Sequence, residues 1–185
     1  MYIPAKYELS ETEALHGLVA ANPLGTLVTF GEGGLDADHI PFEVSAPTSD
    51  APLGVLRAHV ARANPLWRRD SEQVMVVFHE PAGYISPSRF EEKERSGRVV
   101  PTWDYAVVHA HGTLRTMDDP QWLAALLERL TARHEARQQH PWAIADAPPD
   151  YIERLMKAIV GIEINIDRMQ GKRKASSGLV APVRT

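Results

Sequence analysis

Leu24-Gly25-Thr26-Leu27-Val28-Thr29-Phe30-Gly31-Glu32-Gly33-Gly34 is the stretch whose reading decides the fold class. Its first seven residues are rich in β-branched side chains and too few for a helix. The glycines that follow tolerate the positive φ of a tight hairpin. Leu35 to Val44 is then the returning strand, and Pro41 confines it to an edge or a bulge because proline offers no N–H to a ladder. Working outward, strands are expected at Leu53 to His59, Gln73 to His79 and Asp104 to Met117. On the last of these Val108, Ala110, Gly112 and Leu114 share one face. Ile162 to Asp167 alternates strictly, as a half-buried strand does.

Helical signals lie mostly on the other side of these strands. Ser10 and Glu13 read as a capping box for a short amphipathic helix over 10–21, closed by Asn22-Pro23. Asp119-Pro120 caps a helix over 120–138, with Leu123, Leu126, Leu127 and Leu130 at helical spacing. Pro141 and Pro148-Pro149 bracket a linker, and a second short helix covers 149–160. Residues 86–101 read as a long polar loop. Strands first and helices later, without alternation, favour an antiparallel barrel or sandwich with helices outside it. One domain is expected over 1–170, followed by a basic, frayed tail over 171–185.

The chain has 185 residues, 14 prolines, 12 glycines, no cysteine and a formal net charge of -4. A chain of this length can bury roughly 70% of its unfolded surface and needs no cross-link to hold a core. Without cysteine there is no disulfide framework, thiol nucleophile or iron–sulfur cluster. No apolar run approaches a membrane span, and Met1 to Lys6 lacks the layout of a secretory signal, so a cytoplasmic protein is expected. The mild acidity argues against a dedicated nucleic-acid binder, and no DNA-reading element is visible; direct DNA binding is not expected.

Four motifs carry candidate chemistry. His39-Ile40-Pro41-Phe42 sits near a strand end. In His59-Val60-Ala61-Arg62-Ala63-Asn64-Pro65-Leu66-Trp67 a strand stops, and Arg62 and Asn64 stand before a fresh helical start. Arginine and free N–H groups there could grip a phosphate. Equally, Arg62 could be a solvated loop charge and Asn64 a turn cap. Tyr84-Ile85-Ser86-Pro87-Ser88 and Val100-Pro101-Thr102-Trp103-Asp104-Tyr105 each join rigid backbone and small hydroxyls to a large ring. A flat heteroaromatic ligand wants such a surface, and so does an ordinary loop-to-strand transition. His109 and His111 share one strand face and could begin a metal site, or simply bond within the sheet. No metal site is expected.

Taken in order, these four motifs resemble the PaiB-type, FMN-binding negative transcriptional regulators. Met1-Tyr2-Ile3-Pro4, Leu130-Thr131-Ala132-Arg133-His134-Glu135 and Pro141-Trp142 are similar to that family too. The resemblance covers residues 1 to about 176. It implies a mainly β, six-stranded antiparallel split β-barrel with peripheral helices, homodimeric, with FMN in a groove between subunits. It makes Arg62 and Asn64 candidates for the FMN phosphate, with His59 and His39 nearby. Tyr84, Ser86, Thr102, Trp103 and Asp104 become candidates for the ring and ribityl chain, and Lys174 belongs to the family's basic C-terminal motif. The chain departs from the family at Ala58, where glycine is usual, and at Asp104, where asparagine is usual. It departs again at Arg89-Phe90, in place of an aromatic pair, and at Lys172 to Ser177. The implied role is a flavin-dependent regulator or redox sensor. The alternatives are a flavin-dependent oxidoreductase on a small substrate and a haem-binding or haem-degrading split barrel.

Overall fold

The structure is a computed structural model and describes residues 1–176. A 3₁₀ turn at Ala5–Tyr7 leads into β1 (Glu8–Leu9), α1 (Thr12–Ala21) and the hairpin β2 (Leu24–Gly31) and β3 (Gly34–Pro41). β4 (Glu43–Val44), β5 (Val55–Ala61), β6 (Gln73–His79) and β7 (Gly83–Ile85) follow, then α2 (Glu92–Ser96) and β8 (Thr102–Met117). The chain closes with α3 (Pro120–Glu135), α4 (Pro149–Lys157) and β9 (Ile159–Lys174). The strand order is β3-β2-β6-β8-β9-β5-β4, and every pairing is antiparallel. β3 and β5 come together without a hydrogen-bonded ladder between them, so six long strands wrap into a barrel that stays split along that seam. The expected antiparallel barrel with external helices is the observed fold.

The interior follows from strict alternation. Leu27, Leu56, Ala58, Val76, Phe78, Val108, Ala110, Leu114, Ile162 and Ile164 are completely buried, one residue in two along their strands. Their intervening neighbours form the outer face. α1 buries Leu15, Leu18 and Val19 against the barrel, each contributing about 1.5–3 kcal/mol by removal from water. α3 buries Leu123 and Leu126. Gly161 lets α3 dock on β9, since a Cβ there would stand 2.3 Å from the Trp122 ring.

Several boundaries differ from expectation. α1 starts at Thr12 with Glu11 in the cap position and no side-chain cap bond, because the pairing of Leu9 with Gly171 already fixes how the chain enters the helix. α3 stops at Glu135 instead of reaching 138, and Leu126 is its last buried residue. The expected loop over 86–101 holds a 3₁₀ turn at Pro87–Arg89 and α2. The basic stretch from 171 begins inside the sheet: Gly171 to Lys174 pair with Val108 to Tyr105. Gly171 has no side chain to show in the pattern, because Leu15 fills the space where its Cβ would be. Residues 177–185 of the expected tail lie outside the described residues. Among the described residues no helix is long and apolar enough to cross a membrane.

Candidate functional site

At the start of β8, β7 adds a short ladder that sets Tyr84 opposite Trp103, Ile85 opposite Thr102 and Gly83 opposite Asp104. The two rings meet edge to face at 5.7 Å, yet each stays more than half exposed, at 53% and 54%. Large rings so open to water are the unusual feature here. β9 ends beside them: Lys174 Nζ donates to Thr102 Oγ1, and the Ser176 N–H and hydroxyl both donate to Asp104 Oδ1, at 2.9 and 2.6 Å. Ser86 caps the following 3₁₀ turn and shares a 2.6 Å hydrogen bond with the Ser88 hydroxyl. Tyr84 and Trp103 share one face of this strand end, whereas Thr102 and Asp104, which engage Lys174 and Ser176, project from the other.

The second group stands at the other end of the sheet. Beyond β5, the Arg62 guanidinium grips Asp118 with two hydrogen bonds of 3.0 and 2.6 Å and donates to the carbonyls of Lys157 and Ile159. This contact raises the pKa of Arg62 and lowers that of Asp118. Both side chains are substantially solvent-exposed, so the pair holds weakly and an incoming anion could compete for it. Asn64 accepts from the Leu66 N–H and donates to Asp38 Oδ1 at 2.7 Å, stitching the turn after β5 to β3. Asn64→Ala is expected to lower unfolding free energy by about 1 kcal/mol, read as a lower denaturation midpoint.

Met117 pairs with Gly161, which also faces His59, while Thr102 opens β8. About 50 Å of strand therefore separates the two groups along β8. One chain does not bring Arg62 and Asn64 together with Tyr84 and Trp103. His39 lies on the outer sheet face, in one row with Thr26, Val77 and His109. This face also carries Val28, Met75 and His111, and the largely exposed Leu24, Phe30 and Leu35 flank it. Sequence reading missed this apolar outer face, which shows only when the register is known. It also missed Asp118 as the partner of Arg62, and Ser176.

Burial pushes the pKa of His59, His109 and His111 down; Arg168 and the amino terminus add to the effect on the latter two. Their folded values lie below the unfolded one, so the unfolded chain binds more protons as the solution acidifies. Stability is therefore expected to fall as pH drops below about 6.5, measured by denaturant unfolding at pH 7.5 and 5.5. Equal midpoints would contradict this. Among the described residues no cluster of three His, Cys, Asp or Glu could hold a metal.

Comparison with known proteins places this geometry. The family model described as "Putative FMN-binding domain" matches residues 1–168. An uncharacterized protein of Emericella nidulans is 36% identical over 95% of this chain and 84% of its own length. The "Protease synthase and sporulation protein PAI 2" of Bacillus subtilis is 30% identical over 95% of this chain and 82% of its own. Among solved structures, the flavocytochrome Anf3 from Azotobacter vinelandii superposes with a TM-score of 0.65 at 11% identity, covering 95% of this chain and 73% of that one. A FAD and heme binding protein from Mycobacterium smegmatis gives 0.63 at 16% identity, covering 96% and 77%. At such identities these two establish the shared fold. With the family model spanning nearly the whole chain and the Bacillus relative matched over 95% of it, the chain belongs to the PaiB-type family of FMN-binding split-barrel domains.

Proposed function

We propose that the protein is a homodimer whose FMN sites lie between subunits and whose role is flavin-dependent sensing or regulation. One observation carries this reading: the two halves of the expected flavin site sit at opposite ends of β8, and each half alone is incomplete. In a dimer packed through the apolar outer face, the Arg62 end of one copy would meet the Trp103 end of the other. A two-fold interface uses the same patch on both copies, which suits a face with both ends exposed.

The residues fit the cofactor. The uncovered Tyr84 and Trp103 rings offer an apolar wall for a flat heterocycle. Around the edge of the same strand end, Lys174, Thr102 and Ser176 supply an ammonium and two hydroxyls for a polar chain. Arg62 supplies a planar fork for a phosphate. Ala58, a departure from the family pattern, fills the barrel interior and leaves this surface unaltered. Bound FMN supplies reversible electron transfer; the chain's own residues orient it and keep Asp104 occupied by Ser176.

A regulator suits this surface better than an enzyme. The carboxylate at this strand end, Asp104, already accepts two hydrogen bonds, and the sequence contains no cysteine. The Bacillus relative, a protease synthase and sporulation protein by name, supports the same reading. The decisive experiment loads the purified protein with FMN and adds NADH or NADPH. Saturable flavin uptake with negligible turnover is expected. Rapid, catalytic nicotinamide oxidation would make it an oxidoreductase, and no flavin uptake would remove the cofactor.

A further inference from the structure

α4 is amphipathic but buries no residue completely, because much of its apolar face looks onto an open space. That space is a chamber of about 460 Å³ between α3, α4 and the outer wall of β5 and β9. Leu127, Ile152, Leu155, Met156 and the Trp142 indole wall it, and no Asp, Glu, Lys or Arg lines it. Its principal polar group is His59. Ala58 and Val60 on either side fill the barrel, so His59 points outward beneath the helices. His59 Nδ1 is shielded from solvent and makes no hydrogen bond. Buried ring nitrogens are nearly always paired, so an unpaired one marks a missing partner.

We propose that this chamber binds a small, neutral, planar aromatic molecule that carries a hydroxyl, held by the aliphatic walls and by a hydrogen bond to His59. The volume lies within the roughly 300–1,000 Å³ typical of small-molecule sites. A charged ligand would find no counter-ion in the lining, which selects a neutral one. Burial favours the neutral imidazole, in which one ring nitrogen accepts and the other donates. The exposed edges of Trp142 and Leu155 leave the space reachable from solvent. None of its lining residues belongs to the Tyr84–Trp103 surface, and the chamber meets the Arg62 end through His59 and the Ile159 carbonyl.

The test is calorimetric titration of the full-length protein with 2-naphthol and, separately, naphthalene. One 2-naphthol per chain is expected, bound about tenfold more tightly than naphthalene because only the former can satisfy His59. His59→Leu should remove that tenfold preference while leaving naphthalene binding and the circular dichroism spectrum unchanged. Equal affinity for the two probes in the wild-type protein would overturn the role of His59, even if the variant fails to fold. Binding of neither probe would overturn the site. Stoichiometric uptake of haemin with a Soret band that His59→Leu abolishes would overturn the ligand class in favour of haem. Loss of 2-naphthol binding on dimerisation would show that a second copy covers the chamber, and would overturn it as well.

Discussion

Phe78→Ala is expected to lower the unfolding free energy by about 3–5 kcal/mol. Phe78 is fully buried on β6 and meets Phe42 edge to face at 5.7 Å. The neighbouring strand is adapted to it: a Cβ on Gly25 would stand 2.7 Å from the Phe78 ring and 2.6 Å from Val76. Truncation therefore opens a cavity that β2 cannot collapse to fill without moving its ladder with β3. Against a total stability of about 5–15 kcal/mol for a domain of this kind, the variant sits near the edge of folding. Urea unfolding should show a much lower midpoint with an unchanged slope. A cost below about 1 kcal/mol would mean that this end of the barrel is loosely packed. In a double-mutant cycle of Phe42→Leu with Phe78→Leu, a coupling of about 0.5–1.5 kcal/mol is expected from the ring contact.

The same packing explains what the sequence could and could not reveal. β-Branched content in Leu24 to Phe30 and the one-sided run Val108 to Leu114 are local consequences of packing on a barrel interior, so those strands are legible from the sequence. β9 is legible only over Ile162 to Asp167, because farther on the glycine at 171 breaks its pattern where Leu15 needs room. Its bulge beside His111 and Gly112 also shifts the pairing register by one residue. The grouping of Tyr84, Ser86, Thr102, Trp103 and Asp104 was available from motif chemistry, since β7 and β8 are close in the chain. The partnership of Arg62 with Asp118 was not. It depends on strand register across 56 residues, which no spacing rule encodes. For Asn64 the turn-cap reading holds, and the structure adds a contact the sequence did not suggest. It caps the 3₁₀ turn, as an ordinary loop asparagine does, and its amide reaches Asp38 across the barrel seam.

Mixing two defective copies should restore flavin binding. Arg62→Ala removes the phosphate fork and Trp103→Ala removes half of the ring wall; each alone is expected to weaken FMN binding about 10–100-fold, the loss of a charge-assisted pair or a stacked aromatic. If each site is built from the Arg62 end of one subunit and the Trp103 end of the other, a mixed dimer has one site carrying both changes and one carrying neither. Random exchange of equal amounts makes about half of the dimers mixed, so about a quarter of all sites regain wild-type affinity. The readout is FMN fluorescence quenching after unfolding and refolding the two variants together, against each refolded alone. Sites contained in a single chain give no recovery at any mixing ratio, because every chain then carries one defect. Two further controls fix the origin of the signal. Substituting Phe30 and Leu35 by lysine places like charges on the outer face, and should abolish both dimerisation and the recovered fraction while leaving the barrel folded. Thr131→Ser, which touches the chamber behind the barrel wall and neither half-site, should leave the recovered quarter unchanged.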